Sequence, residues 1–581
     1  MQPIHPVVNS PAMDCRLAGA ITLALAFYCT APGKPSLAGY NFDQDKAAVG
    51  QADDATRLRS TTRLVQVSVV VQDKHGNPIV GLTKDNFSVF DEKQAQAIQV
   101  FSVETNAVPE NPRPPLPPDT YTNRLAERTA MPQSVTVILL DALNTEFSDQ
   151  EYSRRQIIKF LSHLQPEDRI GIYTLDYRLN VLHDFTSDSR GLIAAVASYK
   201  GEQLPDEAAS VPHKLDSPPE RLSQSDDALD QFLSLNVQRE SNFYATKRVR
   251  VTTDALQAIA RHLGSLPGRK NLVWISGSFP ITIGYEDEKL NPTQFPDQVD
   301  FFKDVERAIR ALNEANVAVY PVDARGLTPA NSRIQSSPGS VRNAQRPAFT
   351  STPDRSNRLA TMSVMAERTG GRIFYENNDL FEAVRLAVSD SRVTYELGYY
   401  PEGVKWDGKF HSIRVKANSP GARARARTGY FARPDHAVTQ EERDAYVVAA
   451  AYSPIEATAI KMIVQVRPVD GPSAREMNVH LQFDSHDISF RQVDNNWEGS
   501  VGIVYAQTDE TGKALVAPGA AVEMKFTPER YAELLKTGIS HTRDVPIHRD
   551  AVELRVILHD TATGTVGSVI IPLRDYFPRK N

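Results

Sequence analysis

Between Val135 and Asp390 the sequence alternates short apolar runs with amphipathic stretches, and this alternation restricts the fold more than any other feature of the chain. Val135–Leu140, Arg169–Leu175, Leu179–His183, "KNLVWIS", "VAVYPVD" and "GRIFY" predict strands. Asp149–Leu164, Asp188–Tyr199, Val251–Leu266, Val299–Asn316, Arg358–Thr369 and Leu380–Asp390 predict helices. Strand, helix, strand in this order builds a doubly wound, mostly parallel, Rossmann-like sheet covered on both faces. Such sheets bind ligands at the carboxyl edge of their strands, and "SVTVILLDALNTEFSD" delivers Asp141 to that edge. Three long insertions, Gly201–Thr246, Phe279–Asp297 and Gly326–Asn357, interrupt the pattern. Loops of that length are functional or disordered, and the polar text "PHKLDSPPERLSQSDD" favours disorder for much of them.

On either side of this unit the period changes to two. "RLVQVSVVVQDKHGNPIVGLTKDNFSVFDEKQAQAIQVFSVE" supplies three or four strands, too few to close a sandwich. "RVTYELGYYPEGVKWDGKFHSIRVKANSPGARARARTGYFARP" supplies three more. The economical reading is an α/β unit, 133–390, inserted in a β-sandwich made of 63–105 and 391–434. Clustered prolines make 106–132 an extended linker, and 435–581 reads as a C-terminal all-β sandwich containing one helix capped by Thr527. A chain of 581 residues has room for roughly three to four such units.

At the amino terminus, Arg16 precedes an apolar segment, Leu17–Ala31, that is shorter than the roughly 20 residues a membrane span needs. Ser36 and Ala38 have the small-residue spacing of a signal-peptidase site, so 1–38 reads as a signal peptide and 39–62 as a disordered tether. Membrane attachment enters only if this leader is retained. Both cysteines, Cys15 and Cys29, lie inside it. The mature chain therefore has no thiol for disulfides, nucleophilic catalysis or zinc.

The pieces "VSVVVQDKHGNPIVGLTKDNFSVFDE", "VILLDALNT", "LPGRKNLVWISGS", "NVAVYPVDARGL" and "YELGYYP…WDGKFHSIRVK", in this order, resemble a von Willebrand factor type A domain. More narrowly, Leu64 to Pro434 is similar to the secreted type A-related proteins abundant in acidobacteria. The resemblance implies a divalent cation, Mg²⁺ or Ca²⁺, held at the sheet edge by an Asp-x-Ser-x-Ser loop, a threonine and a further aspartate. Asp141 matches the first aspartate and Thr145 stands for the second serine, but Leu143 occupies the first serine position. Thr252 and Thr253 are candidates for the threonine; Gly277 or Ser278 stands where the aspartate belongs, with Ser276 beside them. Asn144 and Asp323 could substitute. With a hydroxyl and a carboxylate missing, the reading is a vestigial site, binding a cation weakly or not at all, in which Asp141 caps the next helix or bonds loop amides.

No HExxH, G-x-S-x-G, G-x-G-x-x-G or P-loop pattern occurs, which removes zinc hydrolase, nucleophile-elbow and nucleotide-binding chemistry. A net charge of −6 gives no basic field for nucleic acid. The stripe Arg423, Arg425, Arg427 reads as a solvated strand face. The chain is expected to be a secreted or periplasmic, non-enzymatic binding or scaffold protein that engages protein or matrix ligands through its carboxyl-edge loops. The alternatives are an envelope enzyme using Asp141 and Asp323 as acid and base, or an inert envelope scaffold.

Overall fold

The computed structural model describes residues 64–105, 116–125, 134–201, 246–277, 279, 302–325, 352–375, 379–401, 403–432, 438–469 and 475–577. The signal-peptide and tether readings, Ser278 and most of the three insertions lie outside these residues.

Five strands form the central sheet: β1 (Thr136–Asp141), β2 (Ile170–Leu175), β3 (Leu179–Thr186), β4 (Lys270–Ser276) and β5 (Val317–Asp323). Their order is β5-β4-β1-β2-β3, with every pair parallel except the β2–β3 hairpin. β1, β2, β4 and β5 are buried along their whole length, which is why they read as continuous apolar runs. Period two then divides each strand between two cores. Val137 and Leu139 of β1 join a core with Trp274, Leu256 and Leu312, whereas Ile138 and Leu140 join another with Ile157, Phe160 and Val384. Helices α1 (Phe147–Leu161), α2 (Ser189–Ser198) and α6 (Leu380–Ser389) contribute to the second core. The first takes in α3 (246–263), α4 (Phe302–Glu314) and α5 (Thr352–Thr369).

The strand expected at "GRIFY" is reduced to one bridge, Val322 to Phe374. Along the outer edge of β5, Val319 N donates to Thr369 Oγ1 at 3.0 Å, and Phe374 N donates to Pro321 O at 2.8 Å. Pro321 has no N–H to offer an outer neighbour, so a longer ladder cannot form there.

The flanking strands pair across the insertion. One four-stranded sheet runs Arg423–Arg425, Val65–Gln72, Val393–Tyr399, Val100–Thr105, with Val67 opposite Leu397. A second runs Gly429–Phe431, Phe410–Ala417, Phe87–Asp91, Gln94–Gln96, with Val89 opposite Val415. Val67, Val69, Tyr395 and Leu397 of the first and Phe87, Val89 and Ile413 of the second share one core. The arginine stripe is not a solvated face. Arg425 forms an ion pair with the buried Asp390 and lies 5.5 Å over the Tyr320 ring, and Arg427 donates Nη2 to Gln66 O at 2.7 Å. Only Arg423 is exposed, because this strand faces the α/β unit as well as its own sheet.

Two features of the remaining chain depart from the sequence reading. The proline-rich connector carries a strand, Thr120–Thr122, that pairs with Met462–Pro468 and completes a sheet with Glu476–Phe483 and Ile539–Pro546. Gln440–Tyr452, inside the segment expected to be all β, is a helix. Its signal was present: Thr439 and Glu442 form a reciprocal capping box. A second sheet, built around the long strand Asn496–Thr508, shares its core with the first. The helix Pro528–Thr537 begins at its Thr527 cap.

Candidate site at the carboxyl edge

Asp141 ends β1 between β2 and β4, and no part of its side chain reaches solvent in quantity. Its Oδ2 accepts from Ser276 Oγ at 2.8 Å and from Trp274 Nε1 at 2.9 Å, both from β4. Trp274 and Ser276 are two residues apart and so share a strand face. The chain then folds back so that Asn144 N donates to Oδ1 at 3.0 Å and Asn144 Nδ2 to Oδ2 at 2.9 Å. Asn144 Nδ2 also lies 3.0 Å from Thr252 Oγ1 in α3. Thr145 Oγ1 accepts from Gly277 N at 2.9 Å, a second tie between the loops after β1 and β4. Gln150 Nε2 secures the first loop from α1 by donating to Thr145 O at 2.9 Å.

The structure thus brings Asp141, Asn144, Thr145, Thr252 and Ser276 together. It sends two other candidates elsewhere. Thr253 Oγ1 donates to Val249 O and Arg250 O within its own helix, at 3.0 and 3.1 Å. Asp323 accepts from Arg325 N and Nε at 3.1 and 3.0 Å. It is Ser276 that stands opposite Asp323 in the β4–β5 register, so β4 separates the two aspartates by about 10 Å, two inter-strand spacings. Asp141 bonds loop amides but does not cap α1, whose N-cap is Glu146. Leu143, where the type A pattern has a serine, is buried in the first core. Trp274 is the participant that the sequence reading passed over. Its spacing from Ser276 was the available signal.

Burial pushes the Asp141 carboxyl above the usual range, and the donors from Asn144, Trp274 and Ser276 pull the other way. A hard divalent cation needs several oxygen ligands with an open side. Here both carboxylate oxygens face protein donors, an indole N–H and a carboxamide NH₂ have no lone pair to give a metal, and Asn144 Oδ1, buried without a partner, is too little by itself for a hard cation. A Cβ on Gly277 would lie 2.8 Å from Asn144 O, so the loop has closed over the place where an aspartate side chain would begin. The donor set does not fit the cation that the resemblance implies. Among the described residues no cluster of three His, Cys, Asp or Glu side chains could hold a metal either. A cavity of about 20 Å³ beside Asp141, lined by Gln150 and Ser153, has room for roughly one water molecule.

Exposed aromatic side chains stand in three of the segments that follow strands at this edge. Phe147 follows β1, Tyr177 follows β2, and Tyr375 follows the bridge beside β5; these are three of the five exposed aromatic residues among those described.

No family model matches the chain, and no curated protein matches it. Solved structures similar to it include an aerotolerance-related membrane protein from Bacteroides fragilis NCTC 9343, 15% identical over 44% of this chain and 98% of that one, with a TM-score of 0.23. The conserved hypothetical protein BatB from Bacteroides thetaiotaomicron is 13% identical over 44% and 97%, with a TM-score of 0.22. The SpRpn10 VWA domain is 16% identical over 32% and 74%, with a TM-score of 0.15.

Proposed function

We propose that this chain is an exported, non-enzymatic binding or scaffold protein of the cell envelope, built on a von Willebrand type A unit inserted in a β-sandwich and similar to the acidobacterial type A-related proteins. Support for the type A reading comes from the order β5-β4-β1-β2-β3 with a lone antiparallel edge strand, and from an aspartate closing the central strand. The observation that carries the binding role is the set Phe147, Tyr177 and Tyr375 around a site whose carboxylate is already saturated. Aromatic residues dominate binding energy at protein interfaces. Binding at this edge is therefore apolar and independent of cations. The ligand is a protein or matrix component that supplies an apolar patch in place of a coordinating carboxylate.

The leader 1–38 supports export as a sequence reading. No helix among the described residues is long and apolar enough to cross a membrane. The separation of Asp141 from Asp323 and their engagement by other side chains favour binding over acid–base catalysis.

The test immobilises the chain and measures retention of envelope proteins and matrix in Mg²⁺ and in EDTA, for wild type and for the triple variant Phe147→Ser, Tyr177→Ser, Tyr375→Ser. The reading expects retention unchanged by EDTA and lost in the variant, at an unchanged melting temperature. Retention that needs Mg²⁺, or that survives the triple substitution, overturns it.

A further inference from the structure

We infer that a cleft at the opposite end of the α/β unit, between α4 and the flanking sheets, binds an aromatic carboxylate. The cleft encloses about 310 Å³. Ligand pockets begin at roughly that size and concentrate at seams between folding units. Arg310 and Asn313, three residues apart on one face of α4, form one wall. Arg427, Trp406 and Tyr430 form the other, with the Trp406 and Tyr430 rings 6.1 Å apart.

Three donors in these walls are buried without an acceptor: Arg310 Nε, Asn313 Nδ2 and Arg427 Nε. Leaving a buried donor unpaired costs free energy that a bound acceptor would recover. The Arg310 guanidinium lies 5.4 Å over the Phe431 ring. Two glutamates also line the cleft. Glu396 is engaged by Ser68 Oγ and by Asn316 Nδ2, and Glu314 sits exposed at the rim. Their charge disfavours a dianion such as a phosphate monoester. A single carboxylate matches the guanidinium fork bidentately, and a flat apolar body matches the Trp406–Tyr430 wall. The site is independent of the carboxyl-edge reading, since its residues lie at the start of β5, the end of α4 and the flanking strands.

The test is calorimetric titration of the full chain with three probes: indole-3-acetate, its neutral analogue indole-3-acetamide, and an acetylated dipeptide ending in free phenylalanine. Saturable heat with the small acid identifies a free aromatic acid as the source of the carboxylate, and saturable heat with the peptide alone identifies a chain terminus. The amide should bind at least about tenfold more weakly, and Arg310→Gln should lose about tenfold or more, because each removes a charge-assisted pair. Asn313→Asp, which sets a carboxylate among the donors, should abolish the heat and guards against a folding defect in the first variant. Absence of heat with both acids overturns the inference, as does an amide that binds as tightly as the acid, or binding indifferent to both substitutions in variants that melt like wild type.

Discussion

Asp141 shows how a residue can keep its place in a fold while changing its task. At the end of β1 it gathers donors from β4 and from the returning loop, so its removal takes a buried acceptor from Trp274 Nε1, Ser276 Oγ and the Asn144 backbone N–H at once. Asp141→Ala should therefore cost about 3–5 kcal/mol in urea denaturation, with no dependence on Mg²⁺ or Ca²⁺. A wild-type melting temperature that rises with either cation, and does so only while Asp141 is present, would defeat this account. Restoring the type A pattern with Leu143→Ser and Gly277→Asp should lower stability and gain no cation response, since a side chain at 277 meets Asn144 O at 2.8 Å. Glu104 carries a pH dependence of its own. Burial first, and the nearby Glu396 second, push its carboxyl from the ordinary 4.5 up to about 7. The folded chain then holds a proton that the unfolded chain releases earlier, so the contribution to stability is complete below 4.5 and is lost as pH rises through about 7. Lys270 beside it, pushed down to about 8 by burial, begins to lose its proton only toward the upper end of that window. Urea midpoints should fall between pH about 5 and about 7.5, and Glu104→Gln should flatten that fall; an unchanged slope in the variant would refute the assignment.

At the scale of elements, whatever depends on local period could be read from the sequence, and whatever depends on a distant partner could not. β1, β4 and β5 were legible because strands buried on both faces are apolar throughout. The helix Gln440–Tyr452 was missed among strand-like segments although its capping box could be read. The segment Thr120–Thr122 is three residues in a proline-rich stretch, and only its partner Met462–Pro468 makes it a strand. In the site, Asp141 could be placed from the strand pattern, but its saturation rests on Trp274, whose indole reaches it across the β1–β4 pair. The failed sixth strand has a local cause. Pro321 removes a donor, and Gly371 packs so close to β5 that a Cβ there would lie 1.8 Å from Val319 O. Gly371→Ala must displace that backbone, and we expect a loss of about 2–3 kcal/mol, together with faster hydrogen exchange of the Phe374 and Asp323 amides that form the bridge. Wild-type exchange at those two amides in a destabilised variant would place the strain elsewhere.

At the scale of the whole molecule, the segment around Thr120 ties the carboxyl-terminal sheets to the rest of the chain. Its strand pairs Tyr121 with Val464, and Asn123, fully buried, donates to Ala457 O and Ile460 O and accepts from Met462 N at 2.7–2.8 Å. Tyr121 and Tyr576 join their hydroxyls at 2.9 Å, and Tyr576 donates to Asp119. A carboxyl-terminal unit cut free at residue 438 would present the edge of Met462–Pro468 with no neighbour, together with three backbone groups that Asn123 had satisfied. Such an edge recruits other strands. The isolated fragment 438–577 should therefore melt below the transition of the same unit in the full chain and self-associate with rising concentration. A peptide of residues 116–125 added in trans should raise its melting temperature by a few degrees, by mass action on the folded state, and suppress the association. The same peptide with Asn123→Ala should do neither, because it restores the ladder but leaves Ala457 O, Ile460 O and Met462 N unpaired. Equal rescue by both peptides would mean that ladder pairing alone holds the strap, and no rescue by either would mean that the strap follows the fold of this unit without stabilising it.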